Sequence, residues 1–117
     1  MTELIIIHDA PYGNEKAYNA LRHAMKVQAE HKDVKVTVFL MADAVGCVIK
    51  AQKTPQGYYN IERMIQYVIR NGGEVKLCGT CLDARGISES LIFEGASRST
   101  MSEFTNLTLS SDKVISF

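Results

Sequence analysis

The chain has 117 residues, a formal net charge of zero at pH 7 and an apolar fraction of 46%. This length predicts a single domain spanning residues 1–117. Because the charge is balanced and no basic cluster stands out, nucleic-acid binding is not predicted. No apolar run approaches the roughly 18 residues of a membrane helix, and Glu3 stands where a signal peptide would carry a basic region. We therefore expect a cytoplasmic protein with no membrane partner.

Strand and helix signals alternate along the chain. Short runs rich in β-branched and aliphatic residues predict buried strands: residues 4–7, 34–40, 75–77 and 114–115. Apolar residues at helical spacing predict the helices between them: about 15–31, a short one after residue 43, 61–69, 82–85 and 101–107. The alternation predicts a three-layer α/β/α domain with a mainly parallel sheet. The segment between residues 87 and 98 has no clear assignment.

Several polar residues stand where a helix would begin, and each is predicted to cap it: Asn14, Asp43, Asn60, and Thr100 in the capping-box pattern Thr100-x-x-Glu103. Gly72-Gly73 ends the helix that Asn60 opens. The loop of residues 52–59, with Pro55 and Gly57, is predicted to act as a lid or as a contact to another subunit.

Two cysteines follow the strand signal at residues 75–77, which is read as the fourth strand-like segment of the chain. Cys78 and Cys81 stand on either side of Gly79-Thr80, directly before the helix-like run 82–85. A thiol at the end of a strand and the start of a helix faces backbone N–H groups, which favour the reactive thiolate. Gly79 leaves room for an incoming group, and Arg85 adds positive charge. These features predict a reactive sulfur at Cys78, although most free cysteines are small buried hydrophobic residues.

Parallel strands place their carboxyl ends at the same edge of a sheet, so loops distant in sequence would surround Cys78. Tyr12 and Asp43 lie in two of these loops. Tyr12 either lines the crevice or packs within its own loop.

Other side chains have two interpretations. Arg85 either tunes a thiolate or pairs with Asp83 or Glu89, and both interpretations stay open. His8 and Asp9 also end a strand at this edge, where capping of the next turn is the favoured role over assistance to a thiol. Cys47 has no activating neighbour in the sequence and is predicted to lie in the core.

Metal and cofactor sites have little support in the sequence. A structural zinc site needs four ligands, and Cys78-x-x-Cys81 has no second pair of cysteines or close histidines to complete it. Nucleotide-binding glycine motifs and a serine nucleophile elbow are missing. We expect neither a metal nor a cofactor, and thioredoxin-like dithiol exchange stays open.

Five segments carry a family likeness: Ala10-Pro11-Tyr12-Gly13, Leu40-Met41-Ala42-Asp43-Ala44-Val45, Gly57-Tyr58-Tyr59-Asn60-Ile61, Lys76-Leu77-Cys78-Gly79-Thr80-Cys81 with Asp83-Ala84-Arg85-Gly86-Ile87-Ser88, and Leu109-Ser110-Ser111-Asp112-Lys113-Val114. They resemble the DsrE/DsrF-like family, most closely its small stand-alone members of the YchN type. The likeness runs nearly end to end, and its most specific part is the segment with the cysteines and Arg85-Gly86.

The resemblance implies a five-stranded parallel α/β/α fold, a homo-oligomer that is typically a trimer-based hexamer, and a link to sulfur transfer inside the cell. In the relay members of the family, a cysteine at the end of the fourth strand carries sulfur as a persulfide between donor and acceptor proteins. That cysteine matches Cys78. Relay subunits commonly have one such cysteine, so Cys81 departs from their pattern and is expected to act as a resolving thiol.

The sequence therefore predicts a sulfur-handling protein, a sulfur carrier or sulfurtransferase, in which Cys78 accepts sulfane sulfur and Cys81 resolves it. Tyr12, Asp43, Gly79 and Arg85 are the expected supporting residues. The alternative is a non-enzymatic oligomeric binding or redox-sensing protein in which both cysteines are structural or redox-active.

Overall fold

A computed structural model describes residues 1–117 as five strands and four α-helices. The strands are β1 (Thr2–Ile7), β2 (Lys35–Leu40), β3 (Glu74–Cys78), β4 (Ala96–Ser99) and β5 (Lys113–Ser116). The α-helices are α1 (Lys16–Glu30), α2 (Ile61–Arg70), α3 (Gly79–Ala84) and α4 (Met101–Ser110), with short 3-10 helices at Ala42–Val48 and Glu89–Leu91. None of the helices has the length and apolar character needed to cross a membrane.

The strands form one sheet in the order β4-β3-β2-β1-β5, and every neighbouring pair is parallel. Helices cover both faces. On one face α1 packs against α2, and His23 of α1 contacts Glu3 of β1. On the other face Phe104 of α4 meets Phe39 of β2 edge to face, with ring centroids 4.9 Å apart. The predicted three-layer architecture is confirmed, with a sheet that is parallel throughout.

The two central strands supply most of the core. Leu4, Ile5 and Ile7 of β1 are fully buried, as are Val38 and Leu40 of β2. Strands covered on both faces have no polar side to alternate with, which explains their continuous aliphatic runs. Five carboxyl ends consequently meet at one edge, where the loop after β2 approaches the loop after β3.

Two of the four predicted caps are confirmed as N-caps, Asn60 and Thr100. The Asn60 side chain accepts from the Arg63 N–H at 3.1 Å, and Thr100 accepts from the Glu103 N–H at 3.1 Å. Asn14 accepts from the Lys16 N–H at 2.9 Å, although Glu15 is the residue that precedes α1. The cap predicted at Asp43 is wrong, because a 3-10 helix already begins at Ala42 and the Asp43 carboxylate binds elsewhere.

The unassigned segment contains β4, an edge strand of sequence Ala-Ser-Arg-Ser with three polar side chains. Just before it, residues 91–93 run antiparallel to residues 48–50: the Lys50 N–H donates to the Leu91 carbonyl at 2.9 Å, and the Phe93 N–H donates to the Val48 carbonyl at 3.1 Å. Phe93 is buried by this pairing, whereas Leu91 is exposed.

A close approach at Gly73 generates a stability prediction. A Cβ at this position would lie 2.6 Å from Cγ1 and 2.8 Å from the carbonyl oxygen of Val68, and 2.8 Å from Nε2 of Gln28. Forcing a methyl group into such a space displaces packed atoms. We expect Gly73→Ala to lower the free energy of unfolding by about 1–3 kcal/mol, measured by urea denaturation.

Gly46→Ala is the matched control, because its Cβ would meet only Cδ of Pro11 at an ordinary 3.6 Å. Its free energy of unfolding should stay within about 1 kcal/mol of wild type. Equal losses in both variants would contradict the packing explanation.

Candidate functional site

Cys78 ends β3 and caps the N-terminus of α3. Its side chain is 8% exposed. The Sγ atom accepts a hydrogen bond from the Cys81 backbone N–H at 3.4 Å and lies 3.5 Å from the Thr80 hydroxyl. The chain turns sharply from strand to helix at this point, so that N–H groups of the first helical turn are directed back at the sulfur. The sequence-based placement of Cys78 at a strand end facing helix N–H groups is therefore found in the structure.

The surroundings distinguish the two cysteines electrostatically. Burial by itself raises the pKa of Cys78, but hydrogen bonds from the side chains and backbones of Cys81 and Thr80 outweigh it, and the net pKa is lowered. Burial raises the pKa of Cys81, and the hydrogen bond that its thiol makes to Cys78 raises it further. The pair consequently favours a thiolate on Cys78 and a proton on Cys81.

The Cys81 sulfur also receives a donor from the loop after β2. The Ala42 backbone N–H points at Sγ of Cys81 over 3.2 Å. Ala42 has φ 52°, in the left-handed region that a non-glycine residue rarely occupies. No sequence pattern marks this residue, since its contribution comes from its backbone alone.

Arg85 bridges the same loop to α3. Its Nε and Nη2 atoms donate to Oδ1 of Asp43 at 3.0 and 2.9 Å, and Nη1 donates to the Cys81 carbonyl at 3.1 Å. The interpretation that Arg85 pairs with Asp83 or Glu89 is wrong, because the turn at the end of α3 carries its side chain toward Asp43. The positive charge of Arg85 acts on Cys81, whose pKa it helps to lower against the larger effect of burial.

A second arginine, Arg98 of β4, lies over the start of α3. Its Nε would be 2.8 Å from a Cβ on Gly79, so this glycine is needed for the close approach. Asp83 holds the guanidinium in two parallel hydrogen bonds of 3.0 and 2.7 Å. The positive charge interacts favourably with Cys78. Sequence analysis missed Arg98 because β4 was not recognised.

The remaining predicted residues have other contacts. Tyr12 packs against Tyr58 and Tyr59, with ring centroids 5.8 and 5.6 Å away, and its hydroxyl accepts from the Ile61 N–H at 3.0 Å. Tyr12 therefore helps to hold the loop of residues 52–59 on the start of α2. His8 contacts the Phe117 carbonyl, and Asp9 pairs with Lys16.

Cys47 is completely buried, and burial raises the pKa of its thiol to about 12. The predicted core role of this cysteine is confirmed. Within one chain, no three His, Cys, Asp or Glu side chains lie close enough together to bind a metal ion.

The fold and this site match one protein family. The model of the DsrE/DsrF-like family matches residues 1–117. The chain belongs to the DsrE/DsrF-like family. Membership is consistent with a role in sulfur relay in general.

Several relatives are similar along almost their whole length. Protein YchN of Escherichia coli is 39% identical over 114 residues, which cover 97% of both chains. An uncharacterized protein of Methanopyrus kandleri is 41% identical over 113 residues, 97% of this chain and 91% of the other.

Solved structures agree with this fold. The crystal structure of the Escherichia coli ychN protein superimposes with a TM-score of 0.92 at 38% identity and covers both chains completely. A Methanobacterium thermoautotrophicum protein of unknown function shares the fold alone, with a TM-score of 0.79 at 13% identity over 99% of this chain and 97% of the other. One expected detail is wrong: Cys78 ends the third strand in chain order, because β4 comes after the cysteines.

The hydroxyl of Thr80 generates a prediction about thiol reactivity. If this donor lowers the pKa of Cys78, Thr80→Ala should raise that pKa and slow alkylation of Cys78 by iodoacetamide near pH 7 by about two- to tenfold. The rate is measured by mass spectrometry of peptides at several pH values.

Thr80→Ser is the matched control, since it keeps the hydroxyl and should alkylate nearly as wild type does. Cys47 should stay unmodified in all three folded proteins. Equal rates in Thr80→Ala and Thr80→Ser would show that the hydroxyl has no influence on the thiolate.

Proposed function

We propose that this protein handles sulfane sulfur, and that the Cys78 thiolate accepts a sulfur atom as a persulfide. The observation that carries the proposal is the set of donors around one sulfur: the Cys81 backbone N–H and thiol and the Thr80 hydroxyl all favour negative charge on Cys78. A thiolate is the nucleophile that attacks a sulfane sulfur. The sulfur-relay link of the family supports the same role.

Uptake transfers one neutral sulfur atom. The Cys78 thiolate attacks the terminal sulfur of a donor persulfide, a new bond forms to Sγ, and the donor leaves as its thiolate with the electron pair of the broken bond. Arg98 favours this step, since it places positive charge near the sulfur. The expectation that Gly79 leaves room for an incoming group is wrong, because Nε of Arg98 and the Ser99 carbonyl oxygen already occupy the space beside this glycine. Donor and acceptor proteins would approach at this edge of the sheet.

Cys81 is proposed to resolve the persulfide. Its sulfur attacks Sγ of Cys78, a disulfide forms, and the terminal sulfur leaves with the bonding electron pair and the Cys81 proton as hydrosulfide. The two thiols are oxidised and the sulfane sulfur is reduced, so the step balances without another reactant. The Cys81 backbone N–H lies 3.4 Å from Sγ of Cys78, so the attacking residue stands one helical turn from its target.

Intact mass of the protein after exposure to glutathione persulfide tests these roles. We expect Cys81→Ser to retain one added sulfur on Cys78, Cys78→Ser to retain none, and wild type to accumulate less persulfide and more Cys78–Cys81 disulfide. Cys47→Ser is the control and should behave as wild type, because Cys47 is buried in the core.

Labelling that persists in Cys78→Ser and disappears in Cys81→Ser would reverse the assigned roles. If Cys78 and Cys81 oxidise to a disulfide but never take up sulfur, sulfur handling is contradicted and the redox-sensing alternative is favoured.

We also propose that the protein assembles with copies of itself, with a trimer-based hexamer as the expected form. No residue of α4 is buried in the single chain, and every residue of β5 is exposed. Large apolar side chains remain uncovered there: Met101, Leu109, Val114 and Ile115. A concentration of exposed large apolar side chains on two neighbouring elements of the chain is typical of an interaction site. Tyr58, from the loop of residues 52–59 that is predicted to act as a lid or to contact another subunit, is also exposed, and so is Leu91, whereas Phe93 is buried.

A charge at Leu109, which is 81% exposed, tests the assembly. We expect wild type to sediment as an oligomer at micromolar concentration and Leu109→Glu to shift toward smaller species, because association would bury a carboxylate against apolar surface. Ala29→Glu places the same charge on exposed α1 and should leave the oligomer intact. A monomeric wild type would contradict the proposal.

A further inference from the structure

Ala42 occupies an unusual conformation that its neighbours hold in place. With φ 52°, the backbone turns abruptly from β2 into the 3-10 helix. The preceding Met41 is fixed by two hydrogen bonds: its N–H donates to the Ile7 carbonyl at 3.0 Å, and its carbonyl accepts from the Ala44 N–H at 3.0 Å. Asp43, the next residue, is held by Arg85. The left-handed conformation is therefore imposed from both sides.

This conformation aims one group at the site. The Ala42 N–H reaches Sγ of Cys81 over 3.2 Å. Arg85 binds both Asp43 of the same loop and the Cys81 carbonyl. The loop therefore contacts the side chain of Cys81 directly and its backbone through Arg85. A residue that cannot hold this left-handed φ would shift the loop and with it the N–H that reaches this sulfur.

We propose that Ala42 is a positioning residue for the resolving step, because its backbone N–H holds Sγ of Cys81 beside Cys78 and stabilises the charge that develops as Cys81 loses its proton. The proposal rests on the proposed function. In that step the Cys81 sulfur bonds to Sγ of Cys78, and the terminal sulfur departs as hydrosulfide with the bonding electrons and the proton. Uptake of sulfur by Cys78 does not require the Ala42 contact.

Replacing a single amide by an ester removes this N–H without changing any side chain. Gly46-Cys47 is a suitable junction for native chemical ligation, so residues 1–46 can be synthesised with lactic acid in place of Ala42 and joined to recombinant residues 47–117. The folded protein is loaded with glutathione persulfide, and hydrosulfide release is followed from pH 6 to pH 9. Loss of one charge-assisted hydrogen bond is expected to slow release about tenfold at pH 7 and to shift its pH profile upward.

The control is an ester at Ala44, which removes the N–H that donates to the Met41 carbonyl. An ester at Ala42 also weakens the hydrogen bond to the Met41 carbonyl, because this carbonyl becomes part of the ester. Both esters therefore disturb that bond, and only the ester at Ala42 removes the N–H that contacts Sγ of Cys81. The Ala44 ester should release hydrosulfide as the all-amide protein does. Equal release from both esters would overturn the proposal.

A recombinant pair gives the same test if an ester disturbs folding. Ala42→Gly can keep the left-handed backbone and should release hydrosulfide as wild type does, whereas the β-branched Ala42→Val should show the slowed release and the shifted profile. Identical pH profiles for Gly and Val would overturn the proposal. Sulfur uptake in a Cys81→Ser background is measured separately. If the Cys81→Ser protein with Ala42 in place takes up no sulfur, the proposed function itself is contradicted. If sulfur uptake and hydrosulfide release are both unchanged in the Ala42 variants, only the role of Ala42 is contradicted.

Discussion

The site depends on hydrogen-bond donors that converge on one buried sulfur. Burial disfavours the thiolate of Cys78, and the donors of Cys81 and Thr80 more than compensate for this cost. These donors are available because β3 stops at Cys78 and α3 starts at the next residue. The contact between the two side chains also raises the pKa of Cys81, so the shared site favours the thiolate on Cys78 and the protonated thiol on Cys81. The proposed reactivity of Cys78 and the proposed resolving role of Cys81 thus have one structural origin.

The parallel sheet supplies the rest of the site. Because the strand ends meet at one edge, the loop after β2 delivers Ala42 and Asp43 to the cysteines, and β4 delivers Arg98. Each arginine is held by an aspartate, Arg85 by Asp43 and Arg98 by Asp83. These pairs are exposed, and exposed ion pairs contribute little to stability. Their role is positional: the pair with Asp83 holds the charge of Arg98 near Cys78, and the pair with Arg85 holds the loop of Ala42 and Asp43 beside Cys81.

Much of this arrangement could be predicted from the sequence. Aliphatic runs identify β1 and β2, Asn60 marks the start of α2, and the position of Cys78 between a strand and a helix follows from Val75–Leu77 and the residues after it. β4 could not be predicted, since an edge strand of small and polar residues has no apolar periodicity. Arg98 lies on this strand and was therefore not identified as part of the site either. The contact of Ala42 comes from a backbone conformation that no side chain reveals, and the partner of Arg85 depends on how two loops meet in space.

The most direct measurement is an NMR titration of the Cβ carbons of the three cysteines after ¹³C labelling, because each Cβ shift reports ionisation of its own thiol. The hydrogen bonds described here predict that Cys78 titrates first, below the roughly 8.5 of a free thiol, that Cys81 titrates above it, and that Cys47 does not titrate in the folded protein. Cys81→Ser keeps a side-chain donor at position 81, so the titration midpoint of Cys78 should change only by the difference between a hydroxyl donor and a thiol donor. A Cys81 that ionises before Cys78, or two midpoints near 8.5, would contradict the assignment of the thiolate to Cys78.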